Sequence, residues 1–168
     1  MHQQAYEWVD RHADADAARV LDIGGRNING TIRDRFPGAT EYVVLDIVED
    51  AGVDIVADAA TWRPDERFDA VVCAEVFEHT PVWREICLTV AVVLEPGGQF
   101  IATMAGPGRA PHSAMDGGPE LRPGEHYGNI DPDELEDELV ALGFEDVTVD
   151  QLGEDVRCVA FAPAVDRG

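Results

Sequence analysis

Apolar positions along this chain fall in short runs separated by polar, Gly- and Pro-rich turns. Val20-Leu21-Asp22-Ile23 ends a strand predicted over 19–23, Tyr42-Val43-Val44-Leu45 one over 41–46, and Ile55-Val56-Ala57 one over 54–57. Residues 68–75 and 99–104 supply a fourth and a fifth. Runs this continuously apolar suit parallel strands buried on both faces. Helical spacing appears between them. Residues 3–13 form an amphipathic helix that turns Tyr6, Val9 and Trp8 toward a sheet or over a ligand, and 31–36 a short helix stopped by Pro37-Gly38. A longer helix is predicted over 81–94, with Pro81 in its first turn and Pro96-Gly97-Gly98 as its stop. Another opens at Asp131-Pro132-Asp133-Glu134, whose acids suit a helix N-terminus, and ends at Gly143. Residues 59–67 read as a loop or a single turn. Residues 105–130 have no period and read as a long loop, a length that is commonly functional. Residues 144–150 and 155–162 alternate like an antiparallel edge hairpin. Strands alternating with helices predict an α/β, doubly wound, Rossmann-like and mostly parallel sheet. The chain reads as one domain over 1–168, with 1–18 an N-terminal helix and link and 105–130 the substrate-side loop.

The first strand runs straight into Gly24-Gly25-Arg26-Asn27-Ile28-Asn29-Gly30. A strand ending in a Gly-rich turn is the ligand-binding corner of such sheets, because glycine admits a ligand close to the backbone. Asp46 ends the second strand about 20 residues later, where these folds hold a ribose diol. A carboxylate can accept from both hydroxyls at once. A nicotinamide enzyme would need glycine where Arg26 stands.

Charge narrows the partners. Twelve basic residues, all arginine, face 34 acidic ones, giving −22. Such a surface repels phosphate backbones, so nucleic acid is not an expected partner. No apolar run is long enough for a membrane span and no signal-peptide pattern is seen, so a cytoplasmic protein without membrane contact is expected. Cys73, Cys87 and Cys158 are too scattered for a disulfide set or a zinc site and read as buried thiols.

At this point the residues resemble a family. The chain is similar to small class I S-adenosylmethionine-dependent methyltransferases of the type 11/23 kind, across about residues 19–151. Val20-Leu21-Asp22-Ile23-Gly24-Gly25 resembles their first motif. Cys73-Ala74-Glu75-Val76-Phe77-Glu78-His79 resembles the fourth-strand motif of small-molecule enzymes. Leu94-Glu95-Pro96-Gly97-Gly98 matches the turn before the fifth strand, and Leu142-Gly143-Phe144 the turn before the sixth. The Gly turn departs from the usual form at Arg26 and Ile28 and resembles a "G-x-R-x-x-N-G" subgroup. The resemblance implies a seven-stranded sheet with an antiparallel last strand, S-adenosyl-L-methionine as cofactor and S-adenosyl-L-homocysteine as product.

It also implies roles. Gly24, Gly25, Arg26 and Asn27 would cradle the cofactor, Asp46 and Ile47 its ribose, and Asp58 and Ala59 its adenine. Asp22 would orient the turn, or reach the cofactor amino group through water. Glu75 would face the methionine portion or the substrate, and Val76 and Phe77 would pack on the adenine or belong to the core. His79 is a candidate general base near neutral pKa, or simply a residue before a helix, and His126 is a second catalytic candidate. Glu78, Arg109, His112 and Tyr127 are candidates for the acceptor, with Arg109 or Arg122 suited to a carboxylate or phosphate. His112 and His126 form no metal pattern with nearby carboxylates, and no metal is expected. The expected activity is methyl transfer to an O or N atom of a small molecule. The alternative is a non-catalytic cofactor-binding or partner-dependent regulatory subunit. A homodimer is left open. Methylation of nucleobase amino groups or of cytosine C5 is disfavoured, because neither an Asp/Asn-Pro-Pro-aromatic motif nor a Pro-Cys nucleophile is present.

Overall fold

The computed structural model describes residues 3–28 and 30–165, so Asn29 of the Gly turn lies outside the described residues. Seven strands form one sheet: β1 (Arg19–Ile23), β2 (Glu41–Asp46), β3 (Ile55–Val56), β4 (Phe68–Ala74), β5 (Leu94–Ala105), β6 (Glu145–Leu152) and β7 (Asp155–Phe161). Their order is β3-β2-β1-β4-β5-β7-β6. β1 to β5 run parallel, and β7 is antiparallel to both β5 and β6. Chain order reverses between β1 and β4, where open α/β sheets place their ligand crevice.

Alternation along the strands supplies a core on each face. Val71 and Cys73 of β4 and Phe100, Ala102 and Met104 of β5 point to one side. There they meet α2 (Trp83–Val93) and α3 (Pro132–Ala141) through Ile86, Val90, Leu135 and Leu139. Ala70, Val72 and Ile101 point to the other side and meet Trp8 and Val9 of α1 (Gln3–His12). Trp8 also donates its indole N–H to the Cys158 carbonyl. α1 therefore covers the sheet; none of Tyr6, Trp8 and Val9 reaches the ligand cavity described below. All three cysteines are buried free thiols.

Three elements differ from expectation. Residues 31–36 form only a 3-10 turn at Arg33–Arg35. Six residues cannot repay helix nucleation, and the Thr31 hydroxyl takes the Arg33 N–H instead. The helix predicted over 81–94 begins at Trp83, because Thr80 is extended before Pro81, as pre-proline residues prefer. It ends before Leu94, which already opens β5; the Gly97 N–H and Gly98 carbonyl bond to the backbone of Ala162 beyond β7. Tertiary hydrogen bonds thus turn the Pro-Gly-Gly stop into strand. The third strand is two residues long, shorter than 54–57. The C-terminal pair forms the expected antiparallel hairpin at the sheet edge, with β7 against β5 and β6 outermost.

α3 shows how closely a local signal is realised. Asp131 caps it, accepting from the N–H groups of Asp133 and Glu134, with Pro132 at the first position. Asp131→Ala is expected to lower stability by about 1 kcal/mol, read from a urea midpoint. An unchanged midpoint would mean the cap is not formed in solution.

Candidate active site

The carboxyl ends of β1, β2 and β4 open into a cavity of about 1280 Å³. Ligand clefts usually span about 300–1,000 Å³, so this one has room for two molecules side by side. The long loop, which starts at Gly106 just after β5, forms its far wall without helix or strand over 106–130. The loop is nonetheless tied down: Gly128 N–H donates to the Glu78 carbonyl at 2.8 Å, Ile130 N–H to Ala105 at 2.9 Å, and the Ser113 hydroxyl to Glu125 at 2.9 Å.

The Gly turn is shaped by its neighbours. Gly24 has φ +74°, and a Cβ there would overlap the Val76 side chain; a Cβ on Gly25 would overlap the Asp22 carboxylate. Gly24 N–H donates to the Leu45 carbonyl at 2.7 Å, which fixes the turn to the end of β2. Asp22 is buried and accepts from the Tyr42 hydroxyl at 2.7 Å. Burial pushes its pKa up to about 7, and the nearby Asp46 charge adds to this. Asp46 lines the cavity with one carboxylate oxygen held by Val48 N–H at 2.8 Å. Asp58 lines it too, accepting from Ala60 N–H at 2.9 Å beside the buried Ala59. Arg26, Ile47, Glu75 and Val76 complete this wall. Asn27 does not reach it; its side chain accepts from Gly30 N–H at 3.0 Å and holds the turn.

Past β4 the chain kinks at Glu75, a non-glycine residue at φ +59°. A 3-10 turn, Phe77–His79, follows. Phe77 points into the core and pulls Glu78 with it, so Glu78 is fully buried and does not line the cavity. Its Oε1 accepts from Ala105 N–H at 3.2 Å. Burial, reinforced by the Glu75 charge, pushes its pKa up to about 8. His79 faces the cavity, but burial and the adjacent His112 bring it down to about 4. The near-neutral base expected from the sequence is therefore a neutral, weakly basic imidazole. His112 lines the cavity beside it, with ring centroids 4.8 Å apart, and Tyr127 stands edge-on to both behind the wall. His126 is exposed on the rim and apart from this group.

Arg109 lines the cavity, yet its guanidinium is engaged by Asp155 and, at 3.4 Å, by Glu75. Arg122 is exposed, pairs with Asp116 and does not line this cavity. Neither is disposed toward an anionic acceptor as expected. Asp155 escaped the sequence reading: it lies 46 residues from Arg109 and has no local motif.

A sequence profile of the methyltransferase domain family matches residues 1–149. The chain belongs to that family. Ubiquinone biosynthesis O-methyltransferases from Stutzerimonas stutzeri and Burkholderia thailandensis are 28% and 30% identical to the domain over 116 and 118 residues. Each match covers 58% of this chain and 49% of the relative, so the chain spans about half the length of the curated relatives it matches. The fold is similar to that of the Burkholderia thailandensis 1,6-didemethyltoxoflavin-N1-methyltransferase bound to its substrate and S-adenosylhomocysteine. Its TM-score is 0.67 at 18% identity, over 96% of this chain and 77% of that one. It is similar also to the S-adenosylmethionine complex of Haemonchus contortus phosphoethanolamine N-methyltransferase 2, with a TM-score of 0.69 at 16% identity, over 95% and 52%. The methyltransferase domain thus has the seven-stranded sheet its motifs imply. Among its described residues no helix is long and apolar enough to cross a membrane.

Proposed function

We propose that this methyltransferase domain binds S-adenosyl-L-methionine and transfers its methyl group to an oxygen or nitrogen of a small neutral or cationic acceptor. The observation that carries this reading is the Asp46 carboxylate, which lines the cavity at the end of β2 beside the Gly24-Gly25 turn. The residues present fit the cofactor. Asp46 has lone pairs beyond the one held by Val48 N–H for a vicinal diol, and Asp58 with Ala59 suits an adenine edge. The turn admits only glycine at 24 and 25, where a Cβ would overlap Val76 or Asp22, and both residues line the cavity. When bound, the cofactor supplies an activated methyl group on a sulfonium, so the protein's share is alignment and exclusion of water. The loop over 105–130 closes the acceptor side, and the neutral His79 imidazole, with the His112 ring beside it, faces the space left for the acceptor. The acceptor's charge follows from the walls: Asp46, Asp58, Glu75, Glu125 and Glu154 line the cavity against Arg26 and an Arg109 that is already paired. An anion would meet net repulsion there.

Calorimetric titration with S-adenosylmethionine and S-adenosylhomocysteine tests this. Asp46→Ala is expected to weaken both at least tenfold, about 1.4 kcal/mol. Methyl transfer is then read as S-adenosylhomocysteine released with hydroxyl and amine acceptors. No binding at millimolar ligand would refute the cofactor assignment. Binding without transfer to any acceptor would instead indicate a cofactor-binding subunit.

A further inference from the structure

We infer that Glu78, His79 and His112 together bind a divalent transition-metal cation at the boundary between the core and the cavity. One ligand atom from each of the three lies within 4.8 Å of the others. The sequence offers no metal pattern around His112 or His126, and no metal is expected from it; the fold brings His112 to Glu78 and His79. Two of the three offer buried atoms with no hydrogen-bond partner, Glu78 Oε2 and His79 Nδ1. Glu78 has no solvent exposure at all. A buried carboxylate oxygen and a buried ring nitrogen without partners are each costly. One cation satisfies both, and no protein group does so among the described residues.

The donors also select the ion. Two imidazoles and one carboxylate suit zinc, cobalt, nickel, iron or manganese better than magnesium or calcium, which prefer all-oxygen shells. In a tetrahedral site with bonds of about 2.1 Å, ligand atoms lie about 3.4 Å apart. The cluster, with atoms up to 4.8 Å apart, therefore has to contract by about 1.4 Å at its widest pair. A metal takes imidazole neutral and carboxylate ionised, so its entry releases any proton these groups hold.

Placement gives the site its use. His79 and His112 face the cavity, Glu78 lies behind them, and Tyr127 walls the far side. Three protein ligands leave one position open toward the cavity, the pattern of a reactive metal site rather than a closed structural one. A hydroxyl acceptor in that position would be oriented and made more acidic. This last step rests on the methyl-transfer reading; binding of the cation does not.

The test uses untagged, chelator-treated full chain titrated with Co(II) and Zn(II), followed by calorimetry and by cobalt visible absorption. One equivalent is expected to bind with a Kd of about 10 µM or tighter, with the intense d–d bands of a four- or five-coordinate cobalt. His79→Ala and His112→Ala should each weaken binding at least tenfold, while His12→Gln, on α1, should leave it unchanged. Absence of saturable binding at about 1 mM metal, or binding that survives both substitutions combined, would overturn the proposal. If His79→Ala fails to fold by circular dichroism, His112→Ala decides alone, since its side chain is outside the hydrophobic core. S-adenosylhomocysteine titration of the same metal-free sample reports separately on the cofactor reading.

Discussion

Phe77→Ala is expected to destabilise this methyltransferase domain by about 3–5 kcal/mol, the usual cost of removing a buried ring. For a chain of this size that lowers the thermal midpoint by roughly 6–20 °C. The side chain is 1% exposed and packs between Trp83 of α2, at 5.9 Å, and Phe100 of β5, at 6.4 Å. It is the inward anchor of the 3-10 turn that also carries Glu78 and His79. With the ring removed, the turn keeps the Glu78 contacts to Ala105 and Gly128 and the Glu75 N–H bond to Thr103, but loses its largest apolar anchor. Phe77→Leu keeps much of the apolar volume and should lose clearly less. Differential scanning calorimetry of the three proteins distinguishes the cases. An alanine variant within about 2 °C of the wild type would show that the turn is not anchored through this ring.

Much of the fold was legible because parallel strands buried on both faces leave unambiguous apolar runs. β1, β2 and β4 fall within a residue of expectation for that reason. The cap at Asp131 was legible because its signal is local. What escaped depends on partners distant in sequence. Nothing near Leu94 announces that the following Pro-Gly-Gly will bond to the chain beyond β7. Nothing in the alternation of 155–162 says that β7 will insert beside β5 rather than stay outermost. The site divides in the same way. Asp46 and the Gly turn could be read from one strand end each, and both line the cavity. Arg109 could be read only as a basic residue on a loop, since its fate is set by Asp155 at the start of the neighbouring strand β7. Glu78 lies one residue from His79 but on the opposite side of a 3-10 turn, so a reading by adjacency put into the cavity a carboxyl that the fold buries. The grouping of His112 with this pair depends on the path of the loop over 105–130, which has no period to read.

Asp22→Asn is expected to change how stability responds to pH. In the native chain the Asp22 carboxyl is buried under the Gly turn, and its pKa stands at about 7, against about 3.9 when unfolded. Between these values the native state holds a proton that the unfolded state has lost. Stability therefore falls as pH rises through this window, by about 4 kcal/mol in all from this one group. Below about pH 4 both states are protonated, and above about pH 7 both are ionised, so the contribution is flat outside the window. Glu78, raised to about 8, pulls in the same direction and carries the decline slightly higher. The large negative charge of the chain also favours unfolding as carboxylates ionise, but that repulsion is shared by the variant almost unchanged. Asparagine cannot ionise and can still accept the Tyr42 hydroxyl. The difference in urea-unfolding free energy between variant and wild type should therefore widen from about pH 4 and level off above about pH 7. Two parallel curves would mean that Asp22 is ionised throughout in the folded chain. The carboxylate beneath Gly25 would then be solvated or paired, contrary to the burial described above.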